Sequence, residues 1–224
     1  MSAIIQYYAM LRLEFLSIWR SHLYTVQCLV FFMISILIFP LAVGNNLKLL
    51  TEIAPGYIWM MAIFASLLAL EGIFKVDHQS GFLEKCLTSP DSLIYYCYSK
   101  VIAHWILHGL PLVVAAPILG SFYHLPVTAL AILFVSLAIG TLSLSLFATL
   151  AAVLTLPVQQ QSLLTPLLVT PLMAPVTILG TLATYDAVQG VSPLAMLWLL
   201  LAILCIAIVG LPLATLYLLR VGAG

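Results

Sequence analysis

Charge is what this sequence has least of. Of 224 residues, seven are Lys or Arg and seven are Asp or Glu, 6% of the chain. A soluble domain carries roughly 25% charged residues. So few charges cannot cover a soluble globule of this size, which excludes a soluble enzyme and a disordered chain. The formal net charge is zero, and without a basic stripe there is nothing to hold phosphates, so no nucleic acid is expected as a partner. The four cysteines, Cys28, Cys86, Cys97 and Cys205, form no CxxC or CxxCH pattern. That removes a zinc finger, a thioredoxin-like motif and covalent haem attachment. Cys28 and Cys205 lie in apolar runs and read as small packing residues. GxxxxGK[ST], HExxH and GxSxG are also missing. The chain reads as non-catalytic, and any ATP-driven work needs an ATPase in another subunit.

What the sequence has in excess is apolar surface: 64% hydrophobic residues, against roughly 45–50% in a soluble domain. Six stretches approach or exceed the ~20 apolar residues that cross a bilayer: 23–43, 54–74, 101–122, 127–156, 162–182 and 193–219. The expected fold is an all-α integral membrane protein with six transmembrane helices in one domain, 1–224. The fourth run exceeds a single crossing and must tilt, bend or extend beyond the membrane. With the N-terminus in the cytoplasm, Arg12, Arg20, Lys75, Lys85, Lys100 and Arg220 fall inside and Lys48 alone outside. Cytoplasmic loops retain Lys and Arg, so both termini are expected there. No cleaved signal is expected. Before the first span, Ile4, Tyr8, Leu11, Phe15 and Ile18 recur at helical spacing, which predicts an amphipathic interfacial helix over 4–20.

One connection is long and polar, residues 75–100. Within it Phe82, Leu83, Cys86 and Leu87 share one helical face, Glu84 and Lys85 point away, Gly81 precedes and Pro90 follows. That predicts a short cytoplasmic amphipathic helix, which either docks a soluble partner or lies in the headgroups. Within the spans, Glu71 stands one turn from the cytoplasmic end of the second and reads as a gate or ion-pair residue, with Lys75 four residues on. His104 and His108 are an i, i+4 pair in the third span. They read first as interhelical hydrogen-bonding groups, with Trp105 as an interfacial anchor. The alternative is a shared metal or an axial haem position, but no third ligand is near in sequence and no metal is expected. Pro111, Pro117, Pro166, Pro171 and Pro175 each remove a backbone donor from a span and demand partners for the freed carbonyls. Ser136, Gly140, Thr141, Ser145 and Thr149 form a small-residue face suited to close helix packing.

Seven segments together resemble one family. They are FPLAVG (39–44), IAPGYIWMMA (53–62), SLLALEGIF (66–74), SGFLEKCLTSP (80–90), KVIAHW (100–105), GLPL (109–112) and PLMAP (171–175). In order and spacing they are similar to haem exporter protein B, the CcmB family of the cytochrome c maturation system. The resemblance implies the membrane subunit of an ABC-type complex with an ABC-2-like permease architecture in the bacterial inner membrane. It implies as partners a separate ATP-binding ATPase subunit, the haem-handling membrane subunit CcmC, the small subunit CcmD and, indirectly, a periplasmic haem chaperone. Haem is expected to be handled by that complex, with no cofactor assigned to this chain. The resemblance also turns the loop helix into an ATPase-coupling element, carried by Asp77, Gly81, Leu83, Glu84 and Pro90, with Phe82 and Leu87 on its apolar face. It matches Glu71 to the family's span-two acid and His104 to the histidine of its AHW stretch. Gly72 and Ser80 depart from the family pattern, and His108 lies outside it. A general exporter of lipid, polysaccharide or drug, and a non-transporting scaffold, are the competing readings.

Overall fold

The structure, a computed structural model, describes residues 22–44, 46–69, 90–155 and 161–222. The expected interfacial helix, Glu71 and the coupling residues from Asp77 to Leu87 lie outside that set. Among the described residues everything regular is helical, as a bilayer requires: with no water available, each backbone N–H and C=O must be satisfied within its own segment. The helices are α1 (His22–Val43), α2 (Leu47–Leu68), α3 (Pro90–His104), α4 (Leu110–Gly120), α5 (Val127–Thr155), α6 (Gln161–Val188) and α7 (Leu194–Gly222). A π-helical turn, Trp105–Gly109, joins α3 to α4, so these two make a single crossing. Six crossings result, all long and apolar enough to span a membrane.

The helices begin and end for local reasons. Asn46 caps α2 by accepting a hydrogen bond from the Leu49 N–H at 3.2 Å. α2 therefore starts at Leu47, before the expected 54, and its first turns include Lys48 and Glu52. Residues 90–100, assigned from sequence to the polar connection, are helix instead. Pro90 opens α3 rather than closing a loop helix; proline suits the first helical position because the N–H it lacks would be unpaired there. α6 runs on to Val188 and takes in Asp186. α1 and α6 stop at Gly44 and Gly190, whose φ values of +77° and +74° only glycine adopts freely.

Burial separates the centre from the rim. α5 is about half buried in the bundle, whereas α1 and α7 are mostly exposed. α5 packs most extensively on α6 and α7, while α2 packs on α6 and α1. The core holds Trp59, Leu133, Leu137, Met173 and Val176, all fully buried. Trp59 is its keystone. A Cβ at Gly140 of α5 would stand 2.4 Å from the ring, and one at Gly180 of α6 only 2.0 Å. Two glycines thus open the slot in which one indole wedges three helices together. Cys28 is buried as expected, whereas Cys205 is exposed on the outer face of α7 and is not a packing residue.

Candidate functional site

Five of the buried polar residues, Ser66, His104, His108, Thr141 and Ser145, gather at the π-turn. Pro111 has no N–H to give the Leu107 carbonyl four residues back, and its ring crowds that carbonyl. The chain responds by widening the preceding turn: the Leu110 N–H bonds to the Trp105 carbonyl, five residues back. Widening keeps His104 and His108 on one side, with ring centroids 4.9 Å apart and planes inclined at 40°. By helical rise they lie about 12 and 18 Å along the third crossing from Tyr96.

Two hydrogen-bonded relays tie this turn to α5. The Trp105 Nε1–H donates to Thr141 Oγ1 at 3.0 Å, and Thr141 donates onward to the Leu137 carbonyl at 2.7 Å. His104 Nδ1 meets Ser145 Oγ at 3.0 Å, and Ser145 donates to the Thr141 carbonyl at 3.0 Å. The imidazole tautomer sets which of His104 Nδ1 and Ser145 Oγ donates in that bond. His104 is 5% exposed and His108 8%, yet His104 Nε2 and His108 Nδ1 have no hydrogen-bond partner. Both histidines line a small cavity closed by Ser66 of α2, Thr141 and Ser145 of α5 and Met173 of α6. The space suits about one water-sized guest.

The structure gives His104 an interhelical hydrogen bond to Ser145 and gives Trp105 one to Thr141. The indole is a half-buried donor to α5, lying across Gly109, where a Cβ would stand 2.6 Å away. Of the residues that the family resemblance singles out, His104 sits in this cluster, whereas Pro90 stands at the start of α3, about 21 Å away by helical rise. Glu71, Asp77, Gly81, Phe82, Leu83, Glu84 and Leu87 lie outside the described residues. Sequence reasoning missed Ser66 and Met173, whose types and spacing carry no signal. Gly140, Thr141 and Ser145 were legible as a close-packing face, but their partners were not. Among the described residues no group of three or more His, Cys, Asp or Glu is placed to hold a metal.

Six apolar crossings around a buried polar seam define a multi-pass α-helical membrane protein. Comparison with known proteins narrows the class. The family described as CcmB protein matches residues 5–222, and the chain belongs to that family. Similar curated proteins carry the name Heme exporter protein B. The one from Pseudomonas aeruginosa is 42% identical over 76% of this chain and 77% of its own length. That from Rhodobacter capsulatus is 40% identical over 75% and 79%, and that from Paracoccus denitrificans 37% identical over 86% and 88%.

Proposed function

We propose that this chain is the membrane subunit of an ABC-type haem export complex serving cytochrome c maturation. It couples ATP hydrolysis in a separate subunit to delivery of haem, or to release of a haem-loaded periplasmic chaperone. The observation that carries the reading is family membership over residues 5–222 together with relatives named as haem exporters. The composition supports a division of labour, since the sequence has no P-loop with which to bind ATP. The partners proposed are the ATPase, CcmC and CcmD, in the bacterial inner membrane with both termini in the cytoplasm.

Haem enters this account as cargo. The cavity beside His104 and His108 has room for about one water, so a porphyrin is not held there in this conformation. Coupling is assigned to the connector between α2 and α3. Asp77, Gly81, Phe82, Leu83, Glu84, Leu87 and Pro90 form or flank the surface that the ATPase pushes, and α3 begins where that connector ends. ATP then acts through differential contact with two conformations, as any coupling of this kind must. The test is co-purification of the ATPase with the tagged chain from gently solubilised membranes. Leu83→Ala combined with Glu84→Ala is expected to lose the ATPase and nucleotide-dependent turnover while inserting normally. Undiminished co-purification and turnover would refute the coupling role.

A further inference from the structure

We infer that the outer face of α7 is covered by lipid across both leaflets in the assembled complex, so that other membrane subunits dock elsewhere on the bundle. The inference takes from the export reading only that such subunits are present. α7 has two sides. Leu200, Leu204 and Ala207 are buried, on the side that packs against α5 and α6. Trp198, Ile206, Val209, Leu213 and Tyr217 turn away from the bundle, each more than half exposed. This crossing is the most apolar of the six. Acyl chains are as apolar as leucine, so exposure alone does not tell a lipid contact from a protein contact.

The placement of aromatics is the first discriminator. Trp198 and Tyr217 are the only aromatic residues of α7, and they stand near its two ends. By helical rise they are about 28 Å apart. That is close to the ~30 Å thickness of a bilayer's hydrocarbon core. Trp and Tyr concentrate at both membrane–water borders, where the ring sits in apolar surroundings and its N–H or O–H reaches water. Arg220, a residue type that reaches headgroups from a helix end, follows Tyr217 within one turn of sequence. An aromatic at each border with exposed aliphatics between them fits a bilayer in both length and chemistry.

The second discriminator is the chemistry by which membrane helices hold one another: small residues four apart and hydrogen-bonding side chains. Between Trp198 and Tyr217 there is no amide and no charge, and the one hydroxyl, on Thr215, is buried. The exposed alanines Ala195 and Ala202 have Leu199 and Ile206 four residues on. The other outward faces differ. α1 exposes Gln27, and α6 exposes Thr170 beside Pro171 and Ala174. One small pair on α7 does have the packing spacing, Gly210 and Ala214, and a Cβ at Gly210 would meet nothing within 4 Å. That notch is where a partner helix would seat, so it enters the test.

The experiment replaces Val209 by p-benzoylphenylalanine in the full chain and irradiates bacterial membranes that hold the whole complex. Phospholipid adducts are expected by mass spectrometry, with no adduct of protein size on a gel. A protein adduct, from a second copy or from another subunit, would overturn the inference. Gly210→Leu fills the notch and is expected to leave co-purification of other membrane subunits unchanged. A loss of those subunits, in a variant with wild-type elution and melting, would overturn it too. Depth is read from the purified chain in nanodiscs of brominated phosphatidylcholine, as the emission difference between wild type and Trp198→Phe. Trp198 is expected to lose most of its emission to bromines near the headgroup and less to bromines near the chain end. A Trp198 emission that brominated lipid leaves unquenched would show the face shielded and the inference wrong. None of these readouts needs ATP or haem, and the subunits recovered with wild type report on the export reading by themselves, so the two can fail separately.

Discussion

An indole is the largest side chain a helix can present, and Trp59 fits its site only because two facing positions are hydrogen. The Cβ that alanine would add at Gly180 meets three Trp59 ring atoms between 2.0 and 2.5 Å away. At Gly140 it meets two at 2.4 and 3.0 Å. The ring is rigid and fully buried, so it has nowhere to yield. Gly180→Ala is therefore expected to destabilise the bundle by about 1–3 kcal/mol, the usual range for overpacking, and Gly140→Ala by less. Gly210→Ala is the control. Nothing lies within 4 Å of a Cβ there, and alanine gains up to about 1 kcal/mol of helix propensity. Melting of the detergent-solubilised protein, followed by size-exclusion elution, reads all three. The wedge also predicts coupling: in a Trp59→Leu background Gly180→Ala should lose most of its cost. A full penalty in that background would mean that the clash lies elsewhere. Sequence made half of this visible. Ser136 and Gly140 mark a close-approach face by spacing, but spacing cannot say which side chain from which helix fills it.

At the scale of the element, proline determines where polar side chains must go. Pro40 in α1 leaves the Ile36 carbonyl without its helix donor. The Tyr123 hydroxyl supplies one at 2.7 Å from the far end of the third crossing. Beside it Tyr57 donates to the Ser35 carbonyl at 2.9 Å and stacks on Phe39 with centroids 4.1 Å apart. The same device recurs near the other end of the bundle. Ile208 precedes Pro212 by four residues, and the Tyr98 hydroxyl donates to its carbonyl at 3.0 Å. Sequence reading correctly demands partners for such carbonyls. It cannot supply them, because the donors lie 87 and 110 residues away. The π-turn was illegible for a related reason: one extra residue in a turn changes no hydrophobic period. A specific rescue is expected. Tyr123→Phe should destabilise the protein by about 1–3 kcal/mol, the cost of orphaning a buried acceptor. Pro40→Ala in the same chain should recover most of that, because alanine brings back the backbone N–H that the Ile36 carbonyl needs. Thermal melts of the two single variants and the double close the cycle, and additive losses would show that Tyr123 acts through packing alone.

The whole molecule is a bundle whose outside is as apolar as its inside. Leu41, Val127, Ile206 and Tyr217 are each at least 69% exposed, a surface only lipid or another membrane subunit can cover. The number of crossings was plain from composition because each needs about 20 apolar residues. Helix ends were less plain, since Lys48, Glu52 and Asp186 extend helices that the apolar pattern alone would stop earlier. Six crossings fix the parity of the connections without fixing their side. The helix ends Val43, Leu47, Gly120, Val127, Val188 and Leu194 lie at one end, and Leu68, Pro90, Thr155 and Gln161 at the other. The charge distribution gives the expectation that labelling tests. Lys75 and Lys85 belong to the α2–α3 connector, whereas Lys48 lies next to the 44–46 turn. With basic residues retained in the cytoplasm, the 189–193 turn is expected outside. Val191 is the probe of choice, being 58% exposed in that turn, in a background with Cys86→Ser and Cys205→Ser, since Cys28 and Cys97 are buried. In intact spheroplasts Val191→Cys is expected to react with a membrane-impermeant maleimide. Gln159→Cys, in the α5–α6 connector, should react only after permeabilisation. The reverse pattern would invert the topology and place the α2–α3 connector where no cytoplasmic ATPase can reach it, so this labelling result also decides whether the coupling proposal is physically open.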